Sequence, residues 1–318
     1  MSDYDVQDDF YQLITNKYNE AVKNKHILFN GDSVINETET IKVGDENFDV
    51  QYTLLTSLMH RPEKGDNDSN PFEKPEPELT IFKDYGANNE FKIIFNKFPV
   101  VPKHFMLVTQ QFKSQNTPLS SNELYATYQI LQNLNKFKSK GEDWFAFYNC
   151  GQESGASQPH KHIQFMTLPS RDKFIPYTDI ISNQQPSELL KKNEPLQNKS
   201  LPFANFIKKI PKDEEITGEI LSQLFASLLQ KTLTTLRQND ADHISYNFIM
   251  TIDYVYMVPR SNGKFQDKIG INSCGVQGLF LCKDEELFKL VKEYGPFNIL
   301  KDVGFLNTSD KASNEYDY

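Results

Sequence analysis

The segment Asn149–Met166, NCGQESGASQPHKHIQFM, constrains the fold more than any other part of the chain. It leaves a strand-like run at Trp144–Asn149, crosses a small polar loop that holds Gly151 and Gly155, and enters a second strand-like run. Side chains alternate across a strand, so His160, His162 and Gln164 fall on one face, and Lys161, Ile163 and Phe165 on the other. The spacing predicts three polar groups projecting together from a sheet, with Lys161 turned away from them at the surface. Glycine permits positive φ and close backbone approach, so the loop can bring N–H groups to a phosphate.

Around this segment the pattern is α+β. Apolar residues at helical spacing predict an amphipathic helix over Val6–Lys25, with Phe10, Leu13, Ile14, Tyr18 and Ala21 on its apolar side. Ser120 and Glu123 have capping-box spacing and open a second helix. A third spans Gly218–Arg237, and a last one begins near Asp284 and stops at Gly295-Pro296. Phe48–Leu55, Leu79–Phe82, Phe91–Phe95, His104–Thr109, Tyr246–Thr251, Tyr254–Val258 and Gly278–Cys282 read as strands. Two stretches lack such signals. Arg61–Glu78 is polar and proline-bearing, a mobile surface loop with little to bury, and Pro169–Pro211 is a loop region or a connection between lobes.

Composition narrows the function classes. The 318 residues are 38% hydrophobic and 24% charged, enough for a sizeable core. A net charge of -9 disfavours a nucleic-acid backbone as partner, although local lysines and arginines can still bind a small nucleotide. Cys150, Cys274 and Cys282 form no C-x-x-C pair, which argues against a disulfide scaffold and a four-ligand zinc site. With no signal peptide and no run approaching about 18 apolar residues, a soluble protein in a reducing compartment is expected, not a membrane protein. That compartment is the cytoplasm, with the nucleus left open.

An imidazole in such a strand suits attack at phosphorus. It is substantially neutral near pH 7 and can carry a covalent intermediate that splits one displacement into two. Its other ring nitrogen must then be held, for which a backbone carbonyl of the Gly/Ser loop is expected. A nearby Gln can donate its amide to a phosphoryl oxygen. Taken alone, an H-x-H pair reads as readily as polar surface, satisfied core histidines or two metal ligands, the last without a third ligand at a convincing local spacing. Elsewhere His26, His60 and His243 lack a partner pattern, and Asp66, Asp68 and Glu73 lack calcium-loop spacing. Trp144, Phe145 and Phe147 read as core or as a wall under the site, and Cys150 as a packing residue.

The block G-x-x-x-G-A-S-Q-P-H-K-H-I-Q-F resembles the histidine-triad superfamily in the branch with Gln in place of the third His. That branch holds the hexose-1-phosphate uridylyltransferases and the diadenosine tetraphosphate phosphorylases. Asn96–His104, Tyr246–Phe248 through Val258–Arg260, and Asn272–Leu279 extend the resemblance to the fungal phosphorylases over most of the chain. The resemblance implies a histidine-triad-like antiparallel sheet with packed helices, its N- and C-terminal halves (1–170 and 171–318) forming one cleft. It implies His162 as nucleophile, supported by His160 and Gln164. It further implies substrate contacts from Arg61, Asn96, Lys97, Asn149, Ser154, Gly155, Ala156, Ser157, Gln164, Asn272, Ser273, Cys274, Leu279 and Lys283. For Lys97 and Lys283 a solvated surface lysine, and for Asn272 a turn residue, stays open beside the ligand reading. The implied reaction is reversible phosphorolysis of diadenosine tetraphosphate by phosphate to ATP and ADP, with adenylyl transfer to sulfate as a side activity. A divalent cation such as Mg²⁺ accompanies the polyphosphate, and no organic cofactor or built metal site is expected. A monomer is expected. Uridylyl transfer to a sugar phosphate, hydrolysis, and a non-catalytic nucleotide sensor are the competing readings.

Overall fold

The computed structural model describes residues 3–56, 70–184 and 194–309. Its centre is an eight-stranded sheet in which every pairing is antiparallel. In chain order these strands are β3 (Thr80–Tyr85), β4 (Phe91–Phe95), β5 (Phe105–Thr109), β6 (Trp144–Cys150), β7 (His162–Thr167), β8 (Phe206–Lys209), β9 (Tyr246–Met250) and β10 (Tyr254–Pro259). Their spatial order is β3-β4-β5-β7-β6-β9-β10-β8. β6 pairs β9, so strands from both halves of the chain share one sheet.

Alternation along β6 shows why both faces must be covered. Trp144, Ala146 and Tyr148 enter one apolar cluster with helices α1 (Phe10–Lys23), α2 (Ser121–Phe137) and α4 (Gly218–Gln238). Phe145 and Phe147 enter the other. The second face is covered by a three-stranded sheet of β1 (Val34–Val43), β2 (Glu46–Leu55) and β13 (Leu279–Cys282). Helices α3 (Tyr177–Asn183), α5 (Glu285–Tyr294) and α6 (Pro296–Val303) complete that layer. A two-stranded ribbon, β11 (Lys264–Phe265) and β12 (Ile269–Gly270), completes the described strands.

Several elements differ from the sequence-based expectation, each for a physical reason. β1 carries only a weak apolar signal because it is an edge strand, exposed over most of its length, with Val34, Ile41 and Val43 packing partly against the second core. Pro169–Pro211 is not featureless, since it contains α3 and β8. Gly295-Pro296 does end α5, at φ +81° for the glycine, but the proline sits in the first turn of α6, where a missing N–H costs nothing. Within the polar Arg61–Glu78 stretch, Phe72 is buried against Ile94, Met106 and Val108, so this segment does bury apolar surface. Arg61, His60, Asp66 and Asp68 lie outside the described residues, as do the last residues of the tail.

Lys161 corrects the surface assignment. Its ammonium donates to Glu123 Oε2 at 2.7 Å and to Pro118 O at 2.7 Å, and the two side chains are 4% and 2% exposed. The same Glu123 oxygen accepts from the Ser120 N–H in the capping box that opens α2. Alternation does point Lys161 away from His162, but that face of the sheet is roofed by helices rather than by water. Removing one partner of a buried pair strands the other charge, so Lys161→Met is expected to cost about 3–5 kcal/mol of unfolding free energy. Urea denaturation with both proteins at matched m-value measures it.

Candidate active site

On the face opposite α1, α2 and α4, β7 presents His162, Gln164 and Met166, while Ile163 and Phe165 enter the helix-side core. Gln164 lies between Met106 of β5 and Phe147 of β6, and His162 pairs with Val108. His160 precedes β7 and bridges to Ser114. Gln164 is thus held at mid-sheet by strands on both sides, His162 pairs with β5 on one side, and His160 stands just ahead of the strand.

The His162 ring is oriented by a short bond to the backbone. Its Nδ1 lies 2.8 Å from the backbone oxygen of His160, which can only accept, so Nδ1 carries the proton and the lone pair resides on Nε2. The holding carbonyl is therefore that of His160, not one in the Gly/Ser loop. His162 is itself 2% exposed, and its backbone N–H donates to Gln115 Oε1 at 2.8 Å. The Gln115 amide donates in turn to Asn149 O at 2.9 Å and His162 O at 3.3 Å.

His160 is fixed at both ring nitrogens. Nε2 lies 2.8 Å from Thr109 O and so donates, which leaves Nδ1 to accept from Asn70 Nδ2 at 2.9 Å. Phe72 closes one side, with its ring centroid 5.0 Å from that of His162 and 6.0 Å from that of His160. His104 Nε2 lies 3.0 Å from Gln164 Oε1. With the imidazole donating, the Gln164 NH₂ is turned away from His104, the orientation in which it can serve a phosphoryl oxygen. Lys92 adds a buried cation on this face. Its ammonium donates to Phe72 O at 2.7 Å, and burial lowers its pKa.

The loop after β6 is shaped by two glycines. Gly151 has φ +90° and Gly155 φ +79°, and a Cβ at either would collide with a backbone oxygen, of Ile244 and Ile271 respectively. Ser154 is fully buried, with its hydroxyl donating to Gly151 O at 2.7 Å, while Ala156 and Ser157 are half-buried. Asn149 and Asn247 stand opposite each other in the β6–β9 register. Asn247 Nδ2 donates to Asn149 Oδ1 and to Ser154 O, both at 2.8 Å. Asn149 Oδ1 also accepts from the Ser273 N–H at 3.0 Å and hydroxyl at 2.7 Å.

The remaining expected contacts divide. Ser273 joins the Asn149 cluster, and Cys274 is fully buried with Sγ 4.0 Å from Met166 Sδ. Asn272 Oδ1 accepts from the Cys274 N–H at 2.9 Å, a turn-making bond, and Asn96 Oδ1 does the same for Phe98. Leu279 is buried in β13, and Lys283 is exposed just after that strand. Lys97 Nζ pairs with Glu76 Oε1 at 2.6 Å. His26, Glu76 and Glu78 bring ligand atoms within 4.8 Å of one another at the β3 edge of the large sheet, three strands from β7. Sequence reasoning missed Lys92, His104, Gln115 and Arg260 as site elements. Gln115 sits in an aperiodic stretch, and only its contacts reveal its part.

Burial disfavours the charged imidazole and pulls the His160 pKa below its ordinary 6.5, with the Lys92 charge acting in the same direction. On unfolding, the ring takes up a proton at the ordinary value. The stability contributed by neutral His160 is therefore fully present above that value and is lost as pH falls toward the folded pKa. His160→Asn is expected to flatten this dependence, read from urea midpoints between about pH 7.5 and about pH 5.5. An unchanged slope in the variant would assign the acid sensitivity elsewhere.

The chain is similar to known proteins along nearly its whole length. The model of the Ap4A phosphorylase N-terminal domain matches residues 37–183, and that of the ATP adenylyltransferase C-terminal domain matches residues 199–306. Protein APA1 of Saccharomyces cerevisiae is 36% identical over 98% of each chain. Diadenosine 5',5'''-P1,P4-tetraphosphate phosphorylase 2 of the same yeast is 34% identical over 98% of this chain and all of its own. The crystal structure of yeast Ap4A phosphorylase Apa2 in complex with Ap4A superposes with a TM-score of 0.80 at 32% identity, covering 96% of this chain and 100% of that one. The AMP complex of the same enzyme gives 0.82 over the same coverage. With its central antiparallel sheet, its oriented imidazole and these matches along nearly its whole length, the chain belongs to the Ap4A phosphorylase/ATP adenylyltransferase family.

Proposed function

We propose that the protein catalyses the reversible phosphorolysis of diadenosine tetraphosphate to ATP and ADP through an adenylyl-histidine intermediate. The observation that carries this reading is the 2.8 Å bond from His162 Nδ1–H to His160 O, which places the attacking lone pair on Nε2. In the first displacement Nε2 forms a bond to the α-phosphorus, and the bond from that phosphorus to the bridging oxygen breaks. ATP leaves with the electron pair, and AMP stays on the imidazole. The Nδ1 proton, held by a carbonyl, lets the ring carry the positive charge of the adduct. In the second displacement an oxygen of inorganic phosphate attacks the same phosphorus, the P–N bond breaks, and ADP departs. Two in-line inversions give net retention.

The Gln164 NH₂ is assigned to a non-bridging oxygen of the reacting phosphoryl group, where donation strengthens as charge develops. The loop from Ser154 through Gly155 and Ala156 to Ser157, with Asn149 and Asn272–Cys274, is assigned to the polyphosphate and nucleoside. Arg61, Asn96, Lys97, Leu279 and Lys283 remain proposed contacts on the resemblance alone. A divalent cation enters with the substrate and offsets polyphosphate charge. Sulfate, a tetrahedral anion like phosphate, is proposed as an alternative acceptor: its oxygen attacks the phosphorus of the adenylyl-histidine, the P–N bond breaks, and adenylyl sulfate departs. The same reading takes the protein as a monomer of the cytoplasm with nuclear access open. It draws support from three buried thiols that form no disulfide. No helix among the described residues is long and apolar enough to cross a membrane.

The test incubates the purified protein with diadenosine tetraphosphate, with and without phosphate, and resolves the nucleotides by chromatography. Equimolar ATP and ADP, dependent on phosphate and reduced on the order of a thousandfold or more in His162→Ala, is the expected result. Products formed equally well without phosphate would point to hydrolysis. Absence of turnover by the folded wild type would remove this substrate and bring uridylyl transfer or a sensing role forward.

A further inference from the structure

Arg260 is fully buried, yet none of its hydrogen bonds goes to a carboxylate. Nε donates to Val303 O at 3.0 Å, Nη1 to Asn247 Oδ1 at 2.6 Å and Ile271 O at 3.0 Å, and Nη2 to Asn262 O at 2.5 Å. Burial pulls its pKa down to about 9, with Glu153 opposing the shift, so the group is still cationic at neutral pH. A buried cation without a close counter-ion costs stability that an apolar side chain of similar volume would not. Its cost is explained if the guanidinium holds something in place.

What it holds are the two loops that flank the nucleophile. Through Nη1 it grips Ile271 O, the atom against which Gly155 is packed too closely to admit a Cβ, and Ile271 leads directly into Asn272–Cys274. The same nitrogen holds Asn247 Oδ1 and thereby turns the Asn247 NH₂ toward Ser154 O and Asn149 Oδ1. Asn149 Oδ1 in turn grips Ser273, and the Asn149 carbonyl is bound to Gln115, which accepts from the His162 N–H. A cationic donor on one side of an amide also strengthens that amide's own N–H donors.

We propose that Arg260, acting through Asn247, is a positioning residue that sets the separation of the Gly151–Ser157 loop, the Asn272–Cys274 loop and His162 for phosphoryl chemistry. This rests on the functional reading above, and it goes beyond it in assigning a role to a residue that need not touch substrate. Fixed donors around a reacting phosphorus matter most when the charge in flight is largest, so their displacement lowers kcat more than it raises KM.

Two variants test it. Asn247→Asp keeps an acceptor for Arg260 and makes it a hydrogen-bonded carboxylate, but removes both donations to Asn149 and Ser154. Arg260→Lys keeps the charge and loses the fork that reaches several acceptors at once. The expected result for Asn247→Asp is a Tm within about 5 °C of wild type. Its kcat on diadenosine tetraphosphate is expected to fall roughly tenfold to a hundredfold, with KM within about threefold. Amide hydrogen exchange in residues 151–157 and 271–274 should quicken in both variants while the β6 and β9 strand amides hold their protection. Wild-type kcat in either folded variant would overturn the proposal. So would activity that tracks only the folded fraction, or failure of both to fold, since each assigns the network to stability alone. If the wild type itself does not turn over diadenosine tetraphosphate, the functional reading fails. The exchange measurement then still decides the positioning role, and unchanged loop exchange would overturn it.

Discussion

The antiparallel pairing of β6 with β9 is the constraint on which the rest of the molecule hangs. Each strand comes from a different half of the chain, and their register sets Asn149 against Asn247. A slip of one residue would turn every side chain of one strand to the other face. The phenylalanines 145 and 147 would then leave the second core for the helix layer, and both asparagines would lose their partners. Apolar packing on two faces therefore fixes the register, and the register places the polar cluster that organises the site.

That cluster is expensive in the terms that usually govern a protein interior. Asn149, Ser154, His162, Asn247, Arg260 and Ser273 are all buried, and each finds hydrogen-bond partners among the others or in the adjacent backbone. Satisfied networks of this kind are rigid, because losing any member leaves another group desolvated without a partner. Rigidity of that sort suits a site in which an attacking nitrogen must meet phosphorus along one line. The surrounding rings reinforce it: Phe72 packs against both motif histidines, and Phe147 lies 6.4 Å from His104.

Much of this was legible in the sequence where the signal is local. The capping box at Ser120 and Glu123, the amphipathic helices and the alternation through His162 and Gln164 all depend on neighbours in the chain, and all recur in the structure. The family was legible too, since its motif is a contiguous string. What was not legible depends on partners far apart. The burial of Lys161 could not be read from β7, because the helix that covers it lies 38 residues away. Gln115 is 47 residues from His162, and nothing in QFKSQNTP marks it. Arg260 entered only as part of the Val258–Arg260 stretch of the resemblance, because its partners Asn247, Ile271 and Val303 are 11 to 43 residues away. β1 was passed over for the opposite reason, since a largely solvated edge strand shows apolar residues only at its ends.

The oxygen Glu123 Oε2 ties a helix start to the strand of the nucleophile, since it accepts from both Ser120 N–H and Lys161 Nζ. Two jobs on one atom limit how this chain can drift. An ordinary buried ion pair can in principle be inverted by exchanging its charges. Here a lysine at position 123 would lack the acceptor that the Ser120 N–H requires, and the helix would lose half of its cap. The pair is directional, and any lineage that replaces Glu123 must first find the helix a different beginning.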